Sequence, residues 1–269
     1  MADDALRITV LGSATPYPRP GNPCSGYLVE GGGARVWVDA GSGSLGELQR
    51  HTGLGELDAV WISHLHADHS ADLLTAYYGL RYADVRRDAP LPLYGPPGIA
   101  DRLAGFLTNG PLRSPVEDTF AVEELRDGHE ARVGGLTLHS RSVEHGGLPA
   151  FALRVEDAEG RRIAYSGDCE PCPALVELAR DCELFVCEAD GDLPGHHSAP
   201  QAGRSAADAG AGRLVVTHVG PGTEPAQAVA EAAGTFGGEV AHAAPGRVFA
   251  VTRRIRTPGR TTPSPASSR

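Results

Sequence analysis

Apolar residues in this chain fall into short blocks, many of them rich in Val, Ile and Leu and bounded by Gly, Pro or Asp, which is the pattern of β-strands. Strands are predicted at Arg7–Leu11, Gly26–Glu30, Arg35–Asp39, Ala59–Ser63, Leu136–Val143, Phe151–Val155, Arg162–Tyr165, Leu184–Cys187, Arg213–Thr217 and Arg247–Val251. Between them, helical spacing of apolar positions predicts helices at Ser44–His51, Ser70–Tyr82, Gly98–Leu107, Pro173–Ala179, Ala199–Ala209 and Glu224–Phe236. Strand meanders come first in each half and helices follow, so the fold class is mixed α and β in layers. From Thr252 onward the chain is Arg, Thr, Pro and Ser, too polar to bury a core. One domain over 1–251 and a disordered tail over 252–269 are therefore expected.

Composition narrows the chemistry. The 269 residues suffice for a core without staples, and no apolar run reaches the ~20 residues of a membrane helix. Acidic residues outnumber basic ones 34 to 24, and five of the basic residues lie past Val251, so the body is more acidic still and should repel a polyanion. Every basic residue is Arg, which excludes lysine-based catalysis and Walker-type phosphate loops. The start of the chain carries Asp3 and Asp4 and no basic-then-apolar signal, so a cytoplasmic location is expected, with no membrane partner. Five cysteines (Cys24, Cys169, Cys172, Cys182 and Cys187) without an export signal are expected as free thiols; a redox pair at Cys169 and Cys172, or a four-Cys zinc site, is the alternative.

The densest chemical signal is His64-Leu65-His66-Ala67-Asp68-His69, directly after the strand that ends at Ser63. In extended chain His64 and His66 point to one side and can grip one ion. Asp68 and His69, where the chain turns into a helix with Ser70 as its expected cap, can serve a second. Two ions need more ligands, and His145, Asp168 and His218 each stand just past an apolar strand. His51, His129, His139 and His242 lack that placement and read as surface or packing residues, as do Tyr77, Tyr78 and Tyr82, whose helical spacing fits a core better than a base-stacking pocket.

On these residues, together with Asp39 in Trp-Val-Asp-Ala-Gly, the chain resembles the metallo-β-lactamase fold superfamily, and within it the ribonuclease Z-like branch. The opening Leu11-Gly12-Ser13 and Ser25-Gly26-Tyr27-Leu28-Val29 also resemble that branch, and the likeness spans about residues 6–251. The resemblance implies a four-layered αββα sandwich with a binuclear metal site at one edge. One ion would take His64, His66, His145 and Asp168; the other would take Asp68, His69, His218 and the bridging Asp168. Asp39 would order the ligand loop without binding metal. His at position 66 resembles the hydrolytic members rather than the di-iron redox ones, and nitrogen-rich ligation suits two Zn2+ ions, with Mn2+ or Fe2+ open.

The same branch carries a His two residues before Ser or Thr at a helix start, and a Glu ending the preceding strand. That spacing selects His196 rather than His197, with Ser198 as helix cap and Glu188 as the carboxylate that orients a general acid; Asp68 joins them as a catalytic residue. The tRNA-processing members carry a long arm between the positions of His145 and Asp168, but here Asp168 follows only 23 positions on. Ala67–Leu73 and Tyr165-Ser166-Gly167-Asp168 resemble short, armless actinobacterial relatives that hydrolyse cyclic nucleotides. The expected function is a metal-dependent phosphodiesterase on a small-molecule substrate, with no stable nucleic-acid complex and a homodimer as in relatives. Ester, thioester or lactone hydrolysis is the second reading, tRNA 3′ processing a third, and a ligand-deficient binding protein the last.

Overall fold

The computed structural model describes residues 5–191 and 193–251; the expected tail at 252–269 lies outside the described residues. The first sheet is built from β1 (Arg7–Gly12), β2 (Gly26–Gly31), β3 (Ala34–Ala40), β4 (Ala59–Trp61), β5 (Leu91–Gly95) and β6 (Phe120–Glu124). The second takes β7 (His129–Val133), β8 (Leu136–Val143), β9 (Ala150–Asp157), β10 (Arg162–Tyr165), β11 (Leu184–Ala189), β12 (Arg213–Val219) and β13 (Glu239–His242). A final strand, β14 (Val248–Ala250), returns to the first sheet, giving orders β14-β1-β2-β3-β4-β5-β6 and β13-β12-β11-β10-β9-β8-β7. Within each sheet an antiparallel meander leads into parallel strands. Parallel neighbours need crossovers, supplied by α1 (Ser44–Leu48), α2 (Ala67–Ser70), α3 (Asp72–Tyr82) and α4 (Ile99–Leu107) in the first half, and by α5 (Pro173–Leu178), α6 (Ala199–Ala209) and α7 (Pro225–Phe236) in the second.

Strand alternation explains the layering. Tyr27, Val29, Val36, Val38 and Trp61 meet Phe151, Leu153, Val155, Tyr165 and Val186 between the sheets. Their sequence neighbours Leu28, Trp37 and Val60 face the opposite way, under α3 and α4 with Leu73, Tyr77, Ile99 and Leu103. A third cluster, including Phe185, Leu214, Ala202, Ala206 and Ala228, lies under the second half's helices. Three apolar layers between four structural ones make an αββα sandwich, as the family resemblance implies. Because both faces of the central strands are buried, those strands read as continuous apolar runs.

Several expectations need correction. β5, β6, β7 and β13 were not predicted: β5 contains Pro92, β6 ends in Glu123-Glu124, β7 reads His-Glu-Ala-Arg-Val, and β13 is a half-exposed edge. Each lacks the apolar density by which buried strands are recognised. The predicted helix at Ser70–Tyr82 is two helices that break at Ala71, and Ser70 is no N-cap: its hydroxyl donates to the His66 carbonyl (2.9 Å), and His66 is the cap residue of α2. Of the three tyrosines, Tyr77 is core, whereas Tyr78 and Tyr82 are largely exposed.

Polar ties cross the apolar middle layer. The Trp61 indole N–H donates to Ser140 Oγ (3.0 Å), Tyr27 OH meets Thr217 Oγ1 (2.5 Å), and Tyr165 OH donates to Asp39 Oδ2 (2.7 Å). In the dry middle layer an orphaned partner costs more than a solvated one. Trp61→Phe should therefore lower unfolding free energy in a denaturant titration by ~1–3 kcal/mol, through lost packing and an unpaired Ser140 hydroxyl; a change within ~0.5 kcal/mol would show that this tie contributes nothing.

Candidate metal centre

The parallel strands of both sheets end at one edge of the sandwich, and the side chains singled out above cluster there. The turn after β4 depends on the edge of β3. Asp39, fully buried with φ 54, accepts from the Ser63 backbone N–H (2.7 Å) and hydroxyl (2.8 Å), and its Oδ2 also takes His69 Nδ1–H (2.7 Å). Two residues on, Gly41 packs so closely that a Cβ there would run into the Asp68 carbonyl. Asp39 thus ties down the turn that carries His64 to His69 and aims His69 Nε2 inward.

Three imidazoles form one half of the cluster. His64 Nε2 lies 3.1 Å from His66 Nδ1, which lies 3.2 Å from His145 Nε2. His145 is held from behind, its Nδ1 donating to the Gly195 carbonyl (2.8 Å). In the other half, His218 Nε2 is 3.3 Å from Asp68 Oδ2, and His69 completes a group whose donor atoms all lie within 4.8 Å of one another. Asp168 stands between the halves: Oδ1 is 3.3 Å from His69 Nε2, and Oδ2 is 3.4 Å from His218 Nε2 and 3.8 Å from His64 Nε2. All seven predicted ligands therefore converge.

The arrangement fits cations better than protons alone. His69 Nε2 and Asp168 Oδ1, both buried, face one another at 3.3 Å without forming a hydrogen bond, so both aim at a common space beside them. Burial, reinforced by the neighbouring imidazoles, holds the His64 pKa well below its ordinary value, leaving that nitrogen a lone pair to donate. Burial would likewise lower His69, but the charges of Asp168 and Asp39 outweigh it and hold its pKa well above the usual range. A proton there occupies a position that a metal ion would take, so metal loading should release protons.

His196 stands at the rim, half-buried. Its Nδ1 lies 2.9 Å from Glu188 Oε2 and 3.9 Å from Asp168 Oδ2. Burial would lower the His196 pKa, but the hydrogen bond and charge of Glu188 push it up to about 9. Burial, with the Asp168 charge, pushes Glu188 itself up to about 7. His197 faces away: its ring joins the Cys169 carbonyl (2.5 Å) and Ser205 Oγ (3.1 Å), and burial pushes its pKa down to about 4. Ser198 is the N-cap residue of α6, and Gln201 reaches back to accept its backbone N–H (2.7 Å).

Four supporting residues escaped the sequence reading. Ser63 and Tyr165 complete the Asp39 shell, Glu170 accepts the Gly195 N–H (2.7 Å) behind His145, and Asp190 lies 3.8 Å from His196 Nδ1. Ser63 could have been suspected from its place before His64; nothing in the sequence marks Glu170. The five cysteines are free, and among the described residues no cysteine joins a metal-type cluster.

The two helix-flanked sheets and the edge cluster of His and Asp define a metallo-β-lactamase-type sandwich. A profile described as Beta-lactamase superfamily domain matches residues 34–219, and the chain belongs to that family. It is 36% identical over 254 residues to an uncharacterised protein of Mycobacterium leprae (91% of this chain, 88% of the relative). It is 30% identical to ribonuclease Z of Myxococcus xanthus (87% and 94%). Among solved structures, the metallo-β-lactamase fold protein YhfI of Bacillus subtilis superposes with a TM-score of 0.80 at 26% identity (93% and 100%). A diphosphatase of the PhnP family shares the fold, with a TM-score of 0.71 at 18% identity (91% and 97%). The fold implies divalent metal ions, with which the cluster is compatible.

If Asp168 serves both halves, Asp168→Ala should lower the metal content from two ions toward none in elemental analysis, whereas His145→Ala should lose mainly one. Two tightly held ions in Asp168→Ala would contradict the shared position.

Proposed function

We propose that this protein is a binuclear-metal-dependent phosphodiesterase that acts in the cytoplasm on a small phosphodiester such as a cyclic nucleotide. The observation that carries this reading is the Glu188–His196 pair: a carboxylate-held imidazole at the rim of a cluster suited to two ions. Two divalent ions, when bound, supply Lewis acidity toward water and the phosphoryl oxygens. The chain's own residues do the rest. Asp68, buried in the cluster, offers a carboxylate oxygen to the proton of the attacking water. His196, protonated through neutrality, faces the reacting region and donates its proton to the departing alkoxide, while Glu188 holds the ring.

Two observations favour a small substrate. The stretch between His145 and Asp168 is one tight hairpin, β9–β10, with no arm to grip RNA. The body is also strongly acidic. Precursor tRNA should bind weakly, with the steep salt dependence of purely electrostatic contact, in filter binding at 50 and 200 mM salt. Efficient, position-specific cleavage at a tRNA 3′ end at physiological salt would overturn the small-substrate reading.

The reaction class is tested by the leaving group. An alkoxide needs a proton, whereas p-nitrophenolate leaves without one, so His196→Ala should slow an alkyl phosphodiester by ~10²–10⁴ and largely spare a p-nitrophenyl diester, with metal content unchanged. Glu188→Gln should show the same selectivity more mildly. Wild-type activity on the alkyl diester should fall as pH rises through about 9, where His196 loses its proton. If neither residue matters and thioesters or lactones turn over well, the protein is a carbonyl hydrolase instead.

A further inference from the structure

Asp190 lies two residues beyond Glu188, just past the end of β11, with its side chain only 9% exposed. The local chain is shaped to hold it. β11 and β12 change register there, Glu188 pairing with Thr217 and Ala189 with Val219, so His218 drops out of the ladder with a left-handed φ of 47. A Cβ on Gly220 would run into the Asp190 carbonyl and lie 2.6 Å from its Oδ1, so only glycine admits this carboxylate. The next residue closes the loop, the Gly191 N–H donating to the His197 carbonyl (3.1 Å).

Held this way, Asp190 Oδ2 is 3.8 Å from His218 Nδ1 and 3.8 Å from His196 Nδ1. The two imidazoles are not equivalent. His196 Nδ1 already has Glu188. His218 Nδ1 is buried and has no hydrogen-bond partner, while its Nε2 faces Asp68 and Asp168 at 3.3 and 3.4 Å. An imidazole that offers Nε2 to a cation carries its proton on Nδ1, and a buried N–H needs an acceptor. A side-chain rotation that shortens the contact by about 1 Å makes this one a hydrogen bond.

We propose that Asp190 is a positioning residue that accepts the Nδ1 proton of His218, and thereby fixes the tautomer and ring orientation of that ligand toward the ion shared with Asp68 and His69. The inference rests on the metal centre of the proposed function, not on the identity of the substrate. Its role differs from that of Glu188, which serves the rim imidazole, and from that of Asp39, which serves His69.

Chelator competition on the zinc-loaded full chain tests it without any turnover. Asp190→Ala should weaken one of the two ions by ~10–100-fold and leave the other unchanged, with an unaltered melting temperature for the metal-free protein. Asp190→Asn, whose amide oxygen still accepts a hydrogen bond, should fall in between. Wild-type affinity for both ions in Asp190→Ala would overturn the assignment. So would equal loosening of both ions together with a lower metal-free melting temperature, which is the signature of a packing role. A wild-type protein that holds fewer than two zinc ions would overturn the centre and this role together, whatever diester it hydrolyses.

Discussion

Five imidazoles and two carboxylates converge at one edge of the sandwich with their donor atoms facing one another, all but the exposed His66 buried, and much of the molecule is arranged to keep them there. His64, His66 and His145 bring three nitrogens to within hydrogen-bonding distance, but one proton can join only two of them. Asp168 and His69 aim past each other into shared space. Buried groups of this kind are costly unless something satisfies them, and cations satisfy all of them at once. The two sheets supply the rigidity: the cluster sits where β4, β8, β10 and β12 run out, and the Tyr165–Asp39 and Tyr27–Thr217 ties join the sheets.

Behind the cluster, a layer of acceptors orients three of the imidazoles. Asp39 turns His69 inward, the Gly195 carbonyl turns His145 inward, and Glu188 holds His196 at the rim. The contrast between adjacent histidines shows how environment decides chemistry. His196 meets a carboxylate and keeps its proton, whereas His197 meets a carbonyl and a hydroxyl in the core and loses it. His197 therefore knits the loop to α6 and takes no part in the rim.

The site was more legible than the periphery of the fold. The His64–His69 segment announces itself because six consecutive residues hold four ligand-type side chains, and His145, Asp168 and His218 follow from their place after apolar strands. Strands buried on both faces were equally plain. Four strands escaped because β5, β6, β7 and β13 each carry a proline, a charged run or an exposed face, so packing partners rather than local pattern make them strands. Ser70 misled for a related reason: its hydroxyl bonds back to His66 instead of capping the helix, which begins three residues earlier. Asp190 and Glu170 were invisible because their importance lies in which distant loop packs against them.

If cations satisfy the buried cluster they are part of the fold, and the most direct test of that claim is the melting temperature of the purified chain before and after metal removal. Ions that bind only the folded state stabilise it by mass action, by about 4 kcal/mol at a thousandfold excess over the dissociation constant. Stripping with chelator should therefore lower the melting temperature by several degrees, and adding back two equivalents of Zn2+ should restore it. An unchanged melting temperature throughout would contradict the claim and leave the buried histidines without an explanation.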